Sequence, residues 1–537
     1  MKSSTVKKSL VLGGLISSSG FLIAKFLGIF YSVPFSYILG SSELMSYYGT
    51  AYRIYSYILS VFTAGLPFAT ATLVAKYAAL GNWKTVRSVN RLSLLISGMF
   101  GFLGMVLMMA LSYFLSIIMT EGTDGRGTMT AVLCILAFAV FFVPLLSSYR
   151  GFIQGCKDME EYAFSQTFEQ LFRIGFLLSV ACLLVYGFGL GRVWALYAGV
   201  ASTSVAAIAG ILQIRRYVKA RNKEIDKLTR MQKVKMVAAS PLMKEFILLA
   251  IPYFMQAVLG YSDDIFNAVL LPIGLKSHSP ETYDVVMSTV NYVGTKLTAI
   301  PMILAPGFTA AIIPHISTAL TEKNYALIRR NIVECLSVVL FIGLFLTFCI
   351  FFYSRQLNYV LFLTEDLDLS SRIIKWASIE GFLGTIAPVL SSIMMVCGLR
   401  RSLLKRMAIS AVLKGILLVP FSMWWGFPGA VVATVISYGY LLTFNAIELS
   451  FRYKVSFVPA FRTVLCTLIG LAFMALCGWL LFRLGLSSTG SGRMMCLALT
   501  VVNGLVSTIV FLAVELYLHV PQRLFHFRLK RSRKARA

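Results

Sequence analysis

The chain is 537 residues long, 58% hydrophobic and only 13% charged. A soluble protein of this length would need far more charge to cover its surface, and no loop is long enough to fold as a separate catalytic domain. The net charge of +27 comes from Lys and Arg gathered in short alternate loops, the pattern of membrane-topology signals rather than of a nucleic-acid-binding face, with anionic membrane lipids as the natural counter-charge.

Apolar runs long enough to cross about 30 Å of hydrocarbon as helices recur from end to end. In chain order the fourteen predicted spans are 10–31, 48–78, 89–119, 128–149, 163–187, 192–214, 245–275, 284–316, 326–354, 372–399, 406–425, 428–451, 459–483 and 493–518. The short alternating segments of a β-barrel are not seen. Lys2, Lys7 and Lys8 resemble the start of an export signal. The run that follows is too long, lacks a small-x-small cleavage site and carries Lys25, so it reads as a retained first helix. Placing the N-terminus inside puts most of the 49 Lys and Arg residues on the cytoplasmic side, so both termini are expected there. In the largest inner loop, Tyr217–Val237 fits either an amphipathic helix on the inner leaflet or a charged linker.

The chain repeats across that loop. A shift of 240 residues places Gly20-Phe21 on Gly260-Tyr261, Phe68 on Phe308 and Ala79-Leu80 on Ala319-Leu320. Polar breaks follow both later members, Gly81-Asn82-Trp83-Lys84 and Thr321-Glu322-Lys323-Asn324. A similar shift places Pro144-Leu145-Leu146-Ser147-Ser148 on Pro388-Val389-Leu390-Ser391-Ser392. The expected organisation is an all-α polytopic membrane protein with two six-helix lobes as parallel repeats. The lobes are 1–215 and 244–455, joined by a basic cytoplasmic linker at 216–243; two extra helices (456–518) and a basic tail (519–537) follow.

Eight of the nine cysteines lie inside apolar runs and Cys156 in a basic loop; no CxxC or Cys/His cluster suggests a metal site. Charges inside the spans are costly and therefore candidates for function. Lys296 lies roughly 18 Å from the outer end of its span, too deep for its ammonium to reach a headgroup easily. Lys25 is nearer the outer end, and Arg53 nearer still, so anchoring competes with function at both. Glu169 and Arg173, four apart on one helical face, suit an internal ion pair of cavity or structural type; Lys414 is mid-span with no obvious partner. Asp263 and Asp264 cannot share one face, so one is expected to pair with a lysine; cation coupling is the alternative role. Prolines at 34, 67, 144, 252, 301, 306, 314, 388 and 420 mark candidate kinks. No nucleotide loop, catalytic triad or zinc motif is present, so no enzyme or cofactor is expected, and a cationic cavity suits an anion such as a diphosphate.

Several segments make the chain resemble a known family. They are Ala24-Lys25-Phe26-Leu27-Gly28, Arg150-Gly151-Phe152-Ile153-Gln154-Gly155, Gln166-Thr167-Phe168-Glu169-Gln170-Leu171-Phe172-Arg173 and Lys296-Leu297-Thr298-Ala299-Ile300-Pro301. The chain is similar to the multidrug/oligosaccharidyl-lipid/polysaccharide (MOP) exporters, above all to MurJ-type lipid II flippases and the Gram-positive YtgP and SpoVB polysaccharide group. The resemblance implies alternately opening lobes around a cationic cavity, with Lys25 and Lys296 where the family places diphosphate-binding arginines and Arg53 as a substitute, a turn or two away, for a basic pair expected at Leu59-Ser60. It also implies a groove for a polyprenyl tail along the last two helices. The implied substrate is a polyprenyl-diphosphate-linked saccharide, most directly lipid II, in the cytoplasmic membrane of a bacterium. Contact with the cell-wall synthesis machinery is a further expectation, and coupling to Na+, H+ or the membrane potential stays open. Tyr31 and Leu59-Ser60 depart from the family pattern, standing where basic residues are expected, so a capsule, teichoic-acid or spore-cortex lipid, or a drug exported against a cation, remains an alternative.

Overall fold

The computed structural model describes residues 27–28, 30–63, 65–120, 124–156, 158–230, 232, 235–302, 305, 308, 316, 319–320, 322–362, 364–486 and 492–525. Every regular element among them is helical. Twelve helical stretches are long and apolar enough to cross a membrane, from Ser42–Ala78 to Arg493–Tyr517. They answer to the second to seventh and ninth to fourteenth predicted spans. Most of the first predicted span, with Lys25, lies outside the described residues. Its visible part, α1 (Phe30–Leu39), runs past the predicted end at 31 and through Pro34. The predicted eighth span is described only in its first half, and Pro306 and Pro314 lie outside.

Contacts divide the chain into two compact units. One holds Tyr31–Tyr292 with Leu418–Met423; the other holds Val293–Leu417 and the described residues from Trp424 on.

In the first unit, two predicted spans are broken. The second becomes α2 (Ser42–Thr63) and α3 (Leu66–Ala79), separated where Gly65 takes a left-handed φ of 78° and Pro67 opens the new helix. Proline suits that first turn because its missing N–H has no partner to lose there. The seventh becomes α8 (Ala239–Gly260) and α9 (Ser262–His278). Between the breaks run α4 (Trp83–Met119), α5 (Asp124–Gly155), α6 (Met159–Cys182) and α7 (Arg192–Arg230), followed later by the single turn α10 (Tyr283–Ser288). Wider-wound turns occupy Leu183–Gly187 and Thr289–Gly294. Such turns cost regular hydrogen bonding and often mark functional positions.

Within Arg215–Lys244 the residues to Arg230 are helical and packed on protein. α7 continues unbroken to Arg230, because Arg215–Arg230 contains no Gly or Pro and is rich in good helix formers. Val218 and Ile225 are buried in a cluster with Leu66, Val86, Val89 and Phe246, so its apolar stripe faces protein. Arg87 pairs with Asp226, and the Asn82 amide donates to the Lys235 carbonyl at 3.0 Å.

The Arg-Gly-x-x-Gln-Gly element has a packing cause. A Cβ on Gly151 would meet the Pro67 carbonyl at 2.5 Å, and one on Gly155 would meet the Ala71 carbonyl at 2.8 Å. The pair, four residues apart, therefore lets α5 approach the backbone of α3 directly. Gly151→Ala is expected to force these helices apart and cost about 1–3 kcal/mol. Gly175→Ala, inside α6 with nothing within 4 Å of its Cβ position, should not lower the melting temperature. Thermal unfolding of the two variants in the same detergent makes the comparison.

The second unit contains α11 (Thr295–Met302), α12 (Tyr325–Phe352), α13 (Ser354–Leu361), α14 (Leu367–Val396), most of α15 (Arg400–Trp425), α16 (Phe427–Tyr453), α17 (Val458–Arg483), α18 (Arg493–Tyr517) and α19 (Val520–Phe525). The turn before α12 repeats the one before α4. Asn82 N–H donates to Tyr77 O and Asn324 N–H to Ala319 O, after left-handed residues Gly81 and Lys323. Each asparagine side chain then caps its helix, accepting from Thr85 N at 3.2 Å or Leu327 N at 3.0 Å. Pro144 and Pro388 both lie inside their helices, α5 and α14.

Candidate functional site

In the first unit the embedded charges meet at the broken helices. Asp263 and Asp264 occupy the first turn of α9, where the exposed N–H groups and the helix dipole favour carboxylates. The sequence expectation paired one of them with a lysine. Among the described residues Asp264 meets Arg53 of α2, whose Nη1 lies 3.4 Å from Asp264 Oδ1. Arg53 Nη2 also donates to the Val290 carbonyl at 3.3 Å, in the wide turn before α11. Its side chain is 12% exposed, so it is held inside protein rather than at a headgroup surface. The turn fits against α2 because Gly49 lacks a Cβ, which would stand 2.6 Å from the Asn291 carbonyl carbon. Asn291 Nδ2 then donates to Thr50 Oγ1 at 2.7 Å.

The expected Glu169–Arg173 pair gives way to another. Glu169 Oε2 accepts from Arg150 Nη2 at 2.8 Å, and Arg150 also donates to the Ser165 carbonyl at 2.8 Å. These bonds tie the end of α5 to α6. Arg173 instead lies over the Tyr31 ring, 5.7 Å from its centroid. Tyr48 and Tyr52 line up beside it with centroids 4.5 Å apart, Tyr52 shares a hydrogen bond with Thr203 at 2.5 Å, and the Tyr292 hydroxyl donates to the Ser32 carbonyl at 2.7 Å. This tyrosine cluster was missed from sequence. The spacing of Tyr48, Tyr52 and Tyr55, four and then three apart on α2, is the signal that would have found it.

In the second unit, Lys296 is half-buried on α11. Thr298 and Met302 pack on Gly381 and Gly384 of α14. Lys296 precedes Thr298 by two residues, about 200° round the helix, and so lies on the side of α11 turned away from α14. Lys414 is 2% exposed on α15. One turn before it, Ser410 donates to the Ser437 carbonyl of α16 at 2.8 Å. Helix register thus brings Lys414 level with Thr434, whose hydroxyl donates to Glu380 Oε1 at 2.8 Å. Arg406 and Glu448 form a further pair at 2.6 Å, with Ser402 donating to Glu448 at 2.5 Å. Paired charges of this kind cost less to embed than lone ones.

Cys156 follows α5, and burial pushes its thiol up to about 11, against the pull of the nearby Arg221 guanidinium. The reactive thiolate is scarce below that value. Maleimide labelling at pH 7.5 is expected to be slow and to rise about tenfold per pH unit toward 11, as rates on a variant keeping only this cysteine would show.

Comparison with known proteins places this geometry in a family. The family model described as "Polysaccharide biosynthesis protein" matches residues 10–320. The chain belongs to the polysaccharide biosynthesis protein family. It is 28% identical over 451 residues to the lipid II flippase MurJ of Bacillus subtilis (strain 168), covering 81% of each chain. Its fold is similar to that of a lipid II flippase MurJ in an inward closed conformation, with TM-score 0.65 and 16% identity over 94% of this chain and 99% of that one. A multidrug resistance MATE family transporter of the MOP superfamily, inward-facing, gives TM-score 0.62 at 14% identity over 81% and 99% of the two chains. The chain is a multi-pass membrane protein of this family.

Proposed function

We propose that the chain is a flippase that carries an undecaprenyl-diphosphate-linked peptidoglycan precursor, lipid II, from the inner to the outer leaflet by alternating access. The observation that carries this reading is the likeness to a lipid II flippase over four fifths of both sequences. In this proposal Lys25, Arg53 and Lys296 hold the diphosphate. Arg53 suits the task because its contact with Asp264, at 3.4 Å, is longer than a good charge-assisted bond and can be exchanged for a phosphate oxygen. The same contact weighs against a cation-coupled drug exporter, which would need Asp264 for its ion.

The fourteen-helix chain with both ends inside, its two repeated lobes and a tail groove along α17 and α18 belong to the same proposal. The matching turns before α4 and α12 support the repeat. The test is depletion of the resident lipid II flippase in a bacterium expressing this chain. Growth rescued by the wild type is expected; lysis despite normal membrane levels of the protein would overturn lipid II in favour of another lipid-linked saccharide.

A further inference from the structure

Away from the embedded charges, the second unit holds a cavity of about 500 Å3. It forms where α12 begins, α17 begins and α18 ends, so it lies where three spans leave the hydrocarbon. Arg329 and Arg330 of α12, Lys454 before α17 and Arg523 of α19 line it, against one acidic residue, Glu334. Glu334 is turned to Arg330 at 3.8 Å. Among the described residues neither Arg329 nor Lys454 has a carboxylate within salt-bridge distance. Arg523 is fixed from behind, donating through Nε to His519 O at 3.1 Å and through Nη2 to Leu518 O at 3.2 Å.

Polar and apolar groups complete the wall. Ser456 offers a hydroxyl beside the uncapped N-terminus of α17, whose dipole adds positive potential. Val333, Val520 and Leu524 supply a greasy side. The backbone is shaped to the same end. Lys454 takes a left-handed φ of 53°. The other two non-glycine residues so placed among those described, Lys323 and His519, stand at the turns leading into α12 and α19. Strained backbone of this kind persists where its surroundings over-determine it.

We infer that this cavity binds the phosphate headgroup of an anionic membrane phospholipid of the phosphatidylglycerol type. Basic pockets at helix ends beside the bilayer recognise such headgroups, because the phosphate meets cations while the acyl chains stay in hydrocarbon. A free phosphate would use the cations but not the apolar side. Val458 and Phe461, exposed on α17 beside the cavity, give the chains a surface to follow. The inference needs only that the chain spans a membrane and is independent of which substrate it moves.

The test uses full-length protein in neutral detergent, with bound lipid counted by native mass spectrometry. Dioleoyl phosphatidylglycerol is expected to bind at least tenfold more tightly than dioleoyl phosphatidylcholine. The pair Arg329→Gln and Lys454→Asn should lower that affinity about tenfold, asparagine being chosen because it tolerates left-handed backbone. Lys219→Gln with Lys223→Gln, exposed on α7, removes the same charge and should change nothing. Arg329→Lys with Lys454→Arg should keep the binding. Equal affinity of the wild type for the two lipids would overturn the inference. So would equal losses from the two neutralised pairs, or displacement of the lipid by equimolar inorganic phosphate. If the neutralised pair does not fold, the wild-type comparison and the charge-preserving pair still decide.

Discussion

Lys296→Ala is expected to lower transport about tenfold to a hundredfold, while Lys296→Arg retains most of it. A hydrogen bond from a charged donor to a phosphate is worth about 1.5–3 kcal/mol, and each 1.4 kcal/mol is a factor of ten. The alanine variant should still fold. Lys296 is half-buried and faces away from the α11–α14 contact made by Thr298 and Met302, and alanine is the better helix former. The measurement is rescue of flippase-depleted cells at matched membrane levels, with Lys25→Ala alongside. Full rescue by both alanine variants would remove these lysines from the mechanism and leave Arg53 as the remaining candidate of the three.

The second large effect is on stability. Arg150→Ala or Glu169→Ala is expected to cost about 3–5 kcal/mol, because either change strands a charge inside packed protein. Their side chains are 12% and 11% exposed and joined at 2.8 Å. Replacing both, as Arg150→Met with Glu169→Leu, should recover most of the loss, since two apolar groups of similar volume leave nothing unpaired. Melting temperatures of the three variants in one detergent check this. A double variant as unstable as the singles would mean that the bonds from Arg150 to Ser165, rather than the ion pair, hold α5 to α6.

The spans were legible because a helix in hydrocarbon must be long and apolar, and composition alone reports that. Twelve of the predicted spans have a described counterpart for this reason. The breaks at Gly65 and Tyr261 were not, because the apolar run resumes within a few residues on the far side of each. Pro67 pointed to the first; for the second, the adjacent carboxylates at 263 and 264 were the clue, as marks of a new helix start. The family motif around Gly151 was readable as a pattern, but its cause, a backbone contact with Pro67 more than eighty residues earlier, lies outside any local window. Ion-pair choice failed for the same reason. The four-residue spacing of Glu169 and Arg173 is a local rule, and Arg150 reached Glu169 first from a neighbouring helix. Lys25 lies outside the described residues, so its place in the site stays with the proposal.

α7 has a mechanical consequence. Its 39 residues form one rod, roughly 58 Å long at 1.5 Å per residue and about twice the hydrocarbon thickness. A rod without a joint cannot absorb a rotation along its length. Any roll of its intramembrane half must turn Asp226, near the far end, by the same angle and pull on Arg87. The basic stretch that looked like slack between two halves therefore works as a crankshaft, geared to the start of α4.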